Sequence, residues 1–167
     1  NRPFDALINY KKAIKLNPYY AECYNNIGLV LQKLKKYKQA KNNYQKAIDL
    51  KPKNAEFLNN QGTVMRLLKE YDQAKAIFKK SIKLKPFFAE AYSNLALTLH
   101  DLGEIKQAEK SFKKSIDLNN NLAQAYNTFG YFLYDTWRHE ESEINLKKAI
   151  KLKPKYFPFY SNLLFLK

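Results

Sequence analysis

The sequence predicts an all-α chain of antiparallel helix hairpins stacked side by side. Three observations carry this: a phrase that returns every 34 residues, two amphipathic segments inside each period, and only 4 Gly and 6 Pro with which to build loops. Ala47-Ile48-Asp49-Leu50-Lys51-Pro52 returns as Ser81-Ile82-Lys83-Leu84-Lys85-Pro86. It returns again as Ser115-Ile116-Asp117-Leu118-Asn119-Asn120 and as Ala149-Ile150-Lys151-Leu152-Lys153-Pro154, and an earlier copy is Ala13-Ile14-Lys15-Leu16-Asn17-Pro18. Counting position 1 three residues after each proline, full repeats run 21–54, 55–88, 89–122 and 123–156. Residues 1–20 read as the second helix of a partial repeat and 157–167 as the first helix of a further one, the whole of 1–167 forming a single array.

Within a repeat, Tyr24, Ile27, Gly28, Leu31 and Leu34 recur at helical spacing, and Ala40, Tyr44, Ala47 and Ile48 do so after them. The helices break near Lys35-Lys36, Lys69-Glu70 and Gly103-Glu104. Proline closes the second helix because it cannot continue the hydrogen-bond ladder. Small residues stand where two helices must come close: Gly28, Gly62, Ala96 and Gly130 on first helices, Ala40, Ala74, Ala108 and Ser142 on second ones. A helical glycine costs about 0.5–1 kcal/mol relative to alanine, so glycines in register need a packing reason, and close contact between the paired helices is the expected one.

Hydrophobic residues make up 46% of the 167 residues, enough for a packed core. The longest late apolar run, Leu163 to Leu166, is far shorter than the roughly 20 residues that span a bilayer. No signal peptide is visible, and the single cysteine, Cys23, excludes an internal disulfide. A cytoplasmic location is the expectation that follows. The net charge of +15 raises nucleic acid or an acidic surface as partner. Yet only Arg2, Arg66 and Arg138 among the 30 basic residues are arginine, the better bidentate phosphate reader. Coding bias in an AT-rich genome is the alternative source of a composition rich in Lys, Asn and Ile.

The pattern Tyr24, Ile27-Gly28, Leu31, Ala40, Tyr44, Ala47, Pro52, repeated as Leu58, Gly62, Met65, Ala74, Phe78, Ser81, Pro86, resembles the tetratricopeptide repeat (TPR) family over essentially the whole chain. Departures are local. Gln61 stands at an apolar position, Asn120 at the proline, and Thr136 and His139 at apolar positions of the last full repeat. The resemblance implies a right-handed superhelical solenoid whose concave side, lined by first helices, holds an extended peptide or a helix. It therefore implies a protein or peptide partner.

With positions 1, 4, 7, 8 and 11 assigned to the core, the polar remainder of the first helices is Glu22, Asn25 and Asn26; Glu56, Asn59 and Asn60; Glu90, Ser93 and Asn94; Gln124, Asn127 and Thr128. Asn26, Asn60, Asn94 and Asn162 share position 6, and a ladder of such amides would grip a peptide backbone whatever its sequence. This ladder, with the run Tyr160 to Phe165, is similar to the TPR arm of protein O-linked N-acetylglucosamine transferases. That likeness carries a second reading, the substrate-recruiting arm of a larger transferase. Tyr131 and Tyr134 extend the stripe from Asn127 at helical spacing, and exposed tyrosines favour binding hot spots. The peptide-binding expectation therefore falls on Asn25, Asn26, Asn59, Asn60, Asn94, Asn127, Tyr131, Tyr134 and Asn162. TPR receptors for acidic C-terminal tails use a lysine and asparagine clamp. Its positions here hold Asn25, Asn59, Ser93 and Asn127, then Leu29, Thr63, Leu97 and Tyr131, so the lysines of that clamp are missing.

Lys11-Lys12, Lys79-Lys80, Lys113-Lys114 and Lys147-Lys148 fall in second helices, expected on the convex side, which makes nucleic acid an unlikely partner and RNA binding the third-ranked reading. No catalytic, cofactor or metal constellation is present. His100 and His139 lie in different repeats, His139-Glu140-Glu141 lacks the two-histidine zinc spacing, and every glycine holds a repeat position rather than a phosphate loop. Cys23 reads as a small interface residue, and Trp137 takes a turn position that favours Gly or a polar residue, either as an exposed contact or as a plug beside Thr136.

The chain opens mid-pattern at Asn1 without an initiator Met, so an internal slice of a longer protein is expected. Ala6, Tyr10 and Ala13 would then lack their hairpin partner. Tyr160, Leu163 and Leu164 would dock on repeat 123–156, and Phe165 and Leu166 would leave an apolar end before Lys167 open to self-association.

Overall fold

A computed structural model describes residues 2–164. These form ten helices and, among the described residues, no strand: α1 (Arg2–Leu16), α2 (Ala21–Lys33), α3 (Tyr37–Leu50), α4 (Ala55–Leu67), α5 (Tyr71–Leu84), α6 (Ala89–Asp101), α7 (Ile105–Leu118), α8 (Ala123–Asp135), α9 (His139–Leu152) and α10 (Pro158–Leu164). Each even-numbered helix up to α8 pairs with the next as a hairpin. The chain divides between Pro86 and Phe87 into two compact units. In the first, α1 packs on α2, and α4 rests on both α2 and α3. In the second, α8 rests on α6 and α7, and α10 packs on α8 and α9.

The turn inside every hairpin uses one left-handed residue: Lys35 (φ 58°), Lys69 (φ 63°), Gly103 (φ 75°) and Trp137 (φ 63°). Its amide and the next one bond back to the closing helix, as in Trp137 N–H to the Tyr134 carbonyl at 2.9 Å and Arg138 N–H to the Leu133 carbonyl at 2.8 Å. Second helices end two residues before Pro52, Pro86 and Pro154. α7 ends at the same register without a proline, because Asn119 leaves the helix at φ −148° and its side chain accepts from the Asn121 amide. Asn54 caps α4, accepting from the Glu56 and Phe57 amides at 2.9 and 3.1 Å.

The aligned glycines do meet the paired helix closely, chiefly through its large side chains, with the Ser142 backbone oxygen 3.2 Å from a Cβ on Gly130 as well. A Cβ on Gly28 would lie 2.6 Å from the Tyr44 ring, one on Gly62 2.8 Å from Phe78, and one on Gly130 2.8 Å from Leu146. The space is needed by the large side chain one turn beyond Ala40, Ala74 and Ser142. Those three are themselves fully buried. The core stripe of the first helices is wider than positions 1, 4, 7, 8 and 11. Position 3, assigned to neither face, is buried throughout as Cys23, Phe57, Ala91, Ala125 and Phe159. First helices are covered on two sides, by their own hairpin partner and by an adjoining repeat, so the open strip on each is narrower than an ordinary amphipathic pattern implies.

Among the described residues, the buried polar departures from the apolar pattern are all satisfied. Gln61, 1% exposed, donates to Gln45 Oε1 at 2.7 Å. The Ser81 and Ser115 hydroxyls donate to the Ala55 and Ala89 carbonyls at 2.7 Å, and Ser142 to that of Gly130. Thr136 donates to its own helix at Phe132. Trp137 is 84% exposed, so it stands as an exposed contact rather than a plug beside Thr136.

At the front, Leu7, Tyr10 and Ile14 pack against the cluster of Ile27, Leu31, Ala40, Tyr44 and Val64, so Tyr10 is half-buried rather than bare. At the back the docking residue is Phe159, 3% exposed against Ala123 and Ala149, where Tyr160 was expected. Tyr160 instead sends its hydroxyl to the Pro154 carbonyl at 3.0 Å. The expectation for Phe165, Leu166 and Lys167, like the side chain of Leu164, lies outside the described residues.

Candidate functional site

The asparagines expected on an open face divide into two kinds. Asn25, Asn59 and Asn127 are buried, 7–8% exposed, and Asn26, Asn60, Asn94 and Asn162 are half-buried. In the first unit Asn60 Nδ2 donates to Asn25 Oδ1 at 2.9 Å. In the second, Asn162 Nδ2 donates to Asn127 Oδ1 at 2.9 Å, and the Ser93 and Thr128 hydroxyls share a bond of 3.1 Å. Each pair joins position 5 of one repeat to position 6 of the next, a separation of 35 residues. These polar groups lie in the seams between first helices. Burying them is tolerable because each amide or hydroxyl finds its partner there.

The rim carboxylates are engaged too. Glu22 pairs with Lys51, and Glu56 with Lys85 at 3.1 Å. What the first helices leave in solvent includes Glu90 and Gln124, with Leu29 37% exposed and Tyr131 49% exposed.

In the second unit the open strip ends in a cavity of about 340 Å³ lined by Tyr131, Tyr134, Asp135, Leu146 and Asn162. The geometry brings both candidate tyrosines and Asn162 together there. The Asp135 carboxylate, by its charge and by accepting the phenol hydrogen bond, holds Tyr131 above the usual tyrosine range, with burial and the Asp101 charge adding to it. Asp135 Oδ2 also lies 3.8 Å from His100 Nε2. The Tyr134 ring meets the His139 ring at 5.1 Å, and the exposed Trp137 ring meets the same imidazole edge-on at 5.8 Å. Asp135 and Leu146 escaped the sequence reading, Leu146 because it sits at a core position of a second helix. The legible signal was an acidic and aromatic stretch within a basic chain.

Among the described residues, no group of three or more His, Cys, Asp or Glu is placed to hold a metal. The Cys23 thiol is pushed up by burial and then by the Glu22 charge, which makes it a poor nucleophile. No helix of the described residues is long and apolar enough to cross a membrane.

Family profiles described as tetratricopeptide repeat match residues 21–54 and 89–122, 43–76, and 123–156, and one described as TPR repeat matches 5–35. The chain belongs to the tetratricopeptide repeat family. No curated protein matches it in sequence. Among solved structures it is similar to a thermophilic TPR protein of Thermus thermophilus, at 19% identity over 99% of this chain and 90% of that one, with a TM-score of 0.89. It is similar also to YrrB, described as a TPR protein with an unusual peptide-binding site, at 24% identity over 96% and 83% of the two chains and a TM-score of 0.66. MamA from Desulfovibrio magneticus matches at 20% identity, 92% and 87% coverage and a TM-score of 0.74. These likenesses establish the tetratricopeptide fold, which is in general a scaffold for protein–protein interaction.

Proposed function

We propose that this chain is a non-catalytic interaction scaffold that holds an extended peptide segment of a partner protein along the open strips of its first helices. The observation that carries the reading is the cavity on the first-helix face of the second unit, where Tyr131, Tyr134 and Asn162 converge. Concave sites with an apolar lining and a few convergent polar groups are the usual form of a ligand site. In the first unit, Asn26 and Leu29 mark the corresponding strip of α2. The lysine pairs of the second helices, all exposed, are kept in water by their charge; Lys113 and Lys147 pair with Glu109 and Glu143 one turn away.

Selection from a random dodecapeptide library tests this. Peptides that bind the whole chain should lose about tenfold or more in affinity on Tyr131→Ala, the scale of an aromatic hot spot, with the helical circular dichroism unchanged. Selected peptides indifferent to Tyr131→Ala and Leu29→Asp, yet released by Lys113→Glu with Lys114→Glu, would move binding to the second helices and overturn the reading.

A further inference from the structure

We propose that the α8–α9 end of the second unit recognises a lysine or arginine side chain of the bound segment. This rests on the peptide-binding reading and adds the chemistry of its ligand. The charge distribution points this way. From Tyr131 to Leu146 the chain carries four carboxylates, Asp135, Glu140, Glu141 and Glu143, against the single guanidinium of Arg138, within a protein of net charge +15. Arg138 engages Glu141 and Lys147 engages Glu143, which leaves Asp135 and Glu140 to draw a cationic group to this end of a chain that is otherwise rich in lysine.

The cavity supplies the matching shape. Its walls are two tyrosine rings and the Leu146 side chain, with the Asp135 carboxylate among them. An aliphatic stem ending in a positive head fits such a lining, the stem against the rings and the head within reach of the carboxylate. This protein already places cations over its own tyrosines, Lys46 Nζ 5.6 Å from the Tyr24 centroid and Lys148 Nζ 5.9 Å from that of Tyr126. The Asp101 carboxylate acts on Tyr131 from α6, so negative charge reaches the cavity from two helices. An anion finds the reverse: no cation lines the cavity among the described residues, and Arg138 is held by Glu109 and Glu141. Beside it stands Trp137, 84% exposed, an aromatic face at the rim for the flanking residues of the segment.

Trp137 is the chain's single tryptophan, so its emission reports on this end of the molecule. The whole chain is titrated at physiological salt with three blocked octapeptides alternating glycine with lysine, glutamine or glutamate. The lysine peptide should shift Trp137 emission and bind about tenfold tighter than the glutamine peptide, about 1.4 kcal/mol. Asp135→Asn should remove that preference while leaving the circular dichroism unchanged. Equal binding of lysine and glutamine peptides, both weakened by Tyr131→Ala, overturns cation recognition and leaves peptide binding standing. Failure of all three peptides and of library-selected ones overturns both. Emission that shifts with protein concentration alone assigns the surface to a second copy of the chain and also overturns the proposal.

Discussion

Asn60 in α4 donates its side-chain amide to Asn25 Oδ1 in α2 across 2.9 Å, and it does so from the helix face on which a ligand-gripping ladder was expected. The bond spends a donor that a peptide carbonyl would otherwise take, and it fixes one first helix against the next. Asn25→Ala should therefore lower stability by about 1 kcal/mol, the usual net value of a hydrogen bond whose partner loses its acceptor. That corresponds to a fall in Tm of about 2–4 °C at this chain length. Asn26→Ala, one residue along and without a seam bond of this kind, should stay within about 0.5 kcal/mol. Urea unfolding of the two variants separates them, and equal midpoints would remove the structural role of the seam. Asn60→Ala is for the same reason a poor probe of binding, since it disturbs the seam as well.

The hairpins and their turns were legible because a 34-residue period exposes every repeated position several times over. The seam was not. The residue that covers Asn25 stands 35 residues on, so neither helix period nor polarity marks position 5 as buried, and an Asn counts as exposed until its partner is found. Phe159 was missed for a related reason. Position 3 is filled by Cys23, Ala91 and Ala125 in three of the other four repeats, small residues that carry little hydrophobic signal although they are buried, and Phe57 alone did not establish the position as core. The cavity beside Tyr131 joins residues of three helices; Tyr131, Tyr134 and Asn162 were legible as polar or aromatic positions of first helices, whereas Asp135 and Leu146 were not.

Gly28 is the test of the ring contact. A methyl group there would meet the Tyr44 ring at 2.6–2.9 Å, and that ring is fully buried with its hydroxyl held by Gln32 at 2.9 Å. The ring has no room to retreat, so overpacking of about 1–3 kcal/mol should outweigh the roughly 0.5–1 kcal/mol of helix propensity that alanine adds. Gly28→Ala should shift the urea midpoint downward without changing the slope. A more stable variant would mean that the ring moves freely.

Arg138 joins two carboxylates, Glu109 at 2.9 Å and Glu141 at 2.7 Å. The Glu109 carboxyl is lowered by its hydrogen bond from Lys113 and then by that from Arg138, and the Glu141 carboxyl by Arg138. Both lie below the ordinary value of 4.5 in the folded chain. Their contribution to stability is therefore present above that value and is lost as the pH falls through it toward the lowered ones. Arg138→Ala should lose Tm at neutral pH and less, relative to the parent, at about pH 3. High salt, about 1 M, should shrink the neutral-pH difference, because these groups are near the surface. A difference between the two chains that is independent of pH would assign the effect of Arg138 to packing.

Trp137 and Gly103 hold the same turn position one repeat apart, at φ 63° and 75°. Around Gly103 there is nothing within 4 Å of an added Cβ, so its glycine answers to the backbone angle alone. Trp137 bears the cost of that angle, about 1–2 kcal/mol for a side-chain-bearing residue, and recovers little by burial at 84% exposure. Trp137→Gly should therefore stabilise the chain. The gain is reduced by the entropy that glycine adds to the unfolded state, and a rise in Tm of about 2–4 °C is expected. The same change should weaken the segment bound at Tyr131, because it removes the aromatic face at the cavity rim. Stability rising while affinity falls is the outcome expected of a residue kept for contact rather than for folding. A Trp137→Gly chain that melts below the parent would show instead that the edge-on contact with His139, at 5.8 Å, supports the turn.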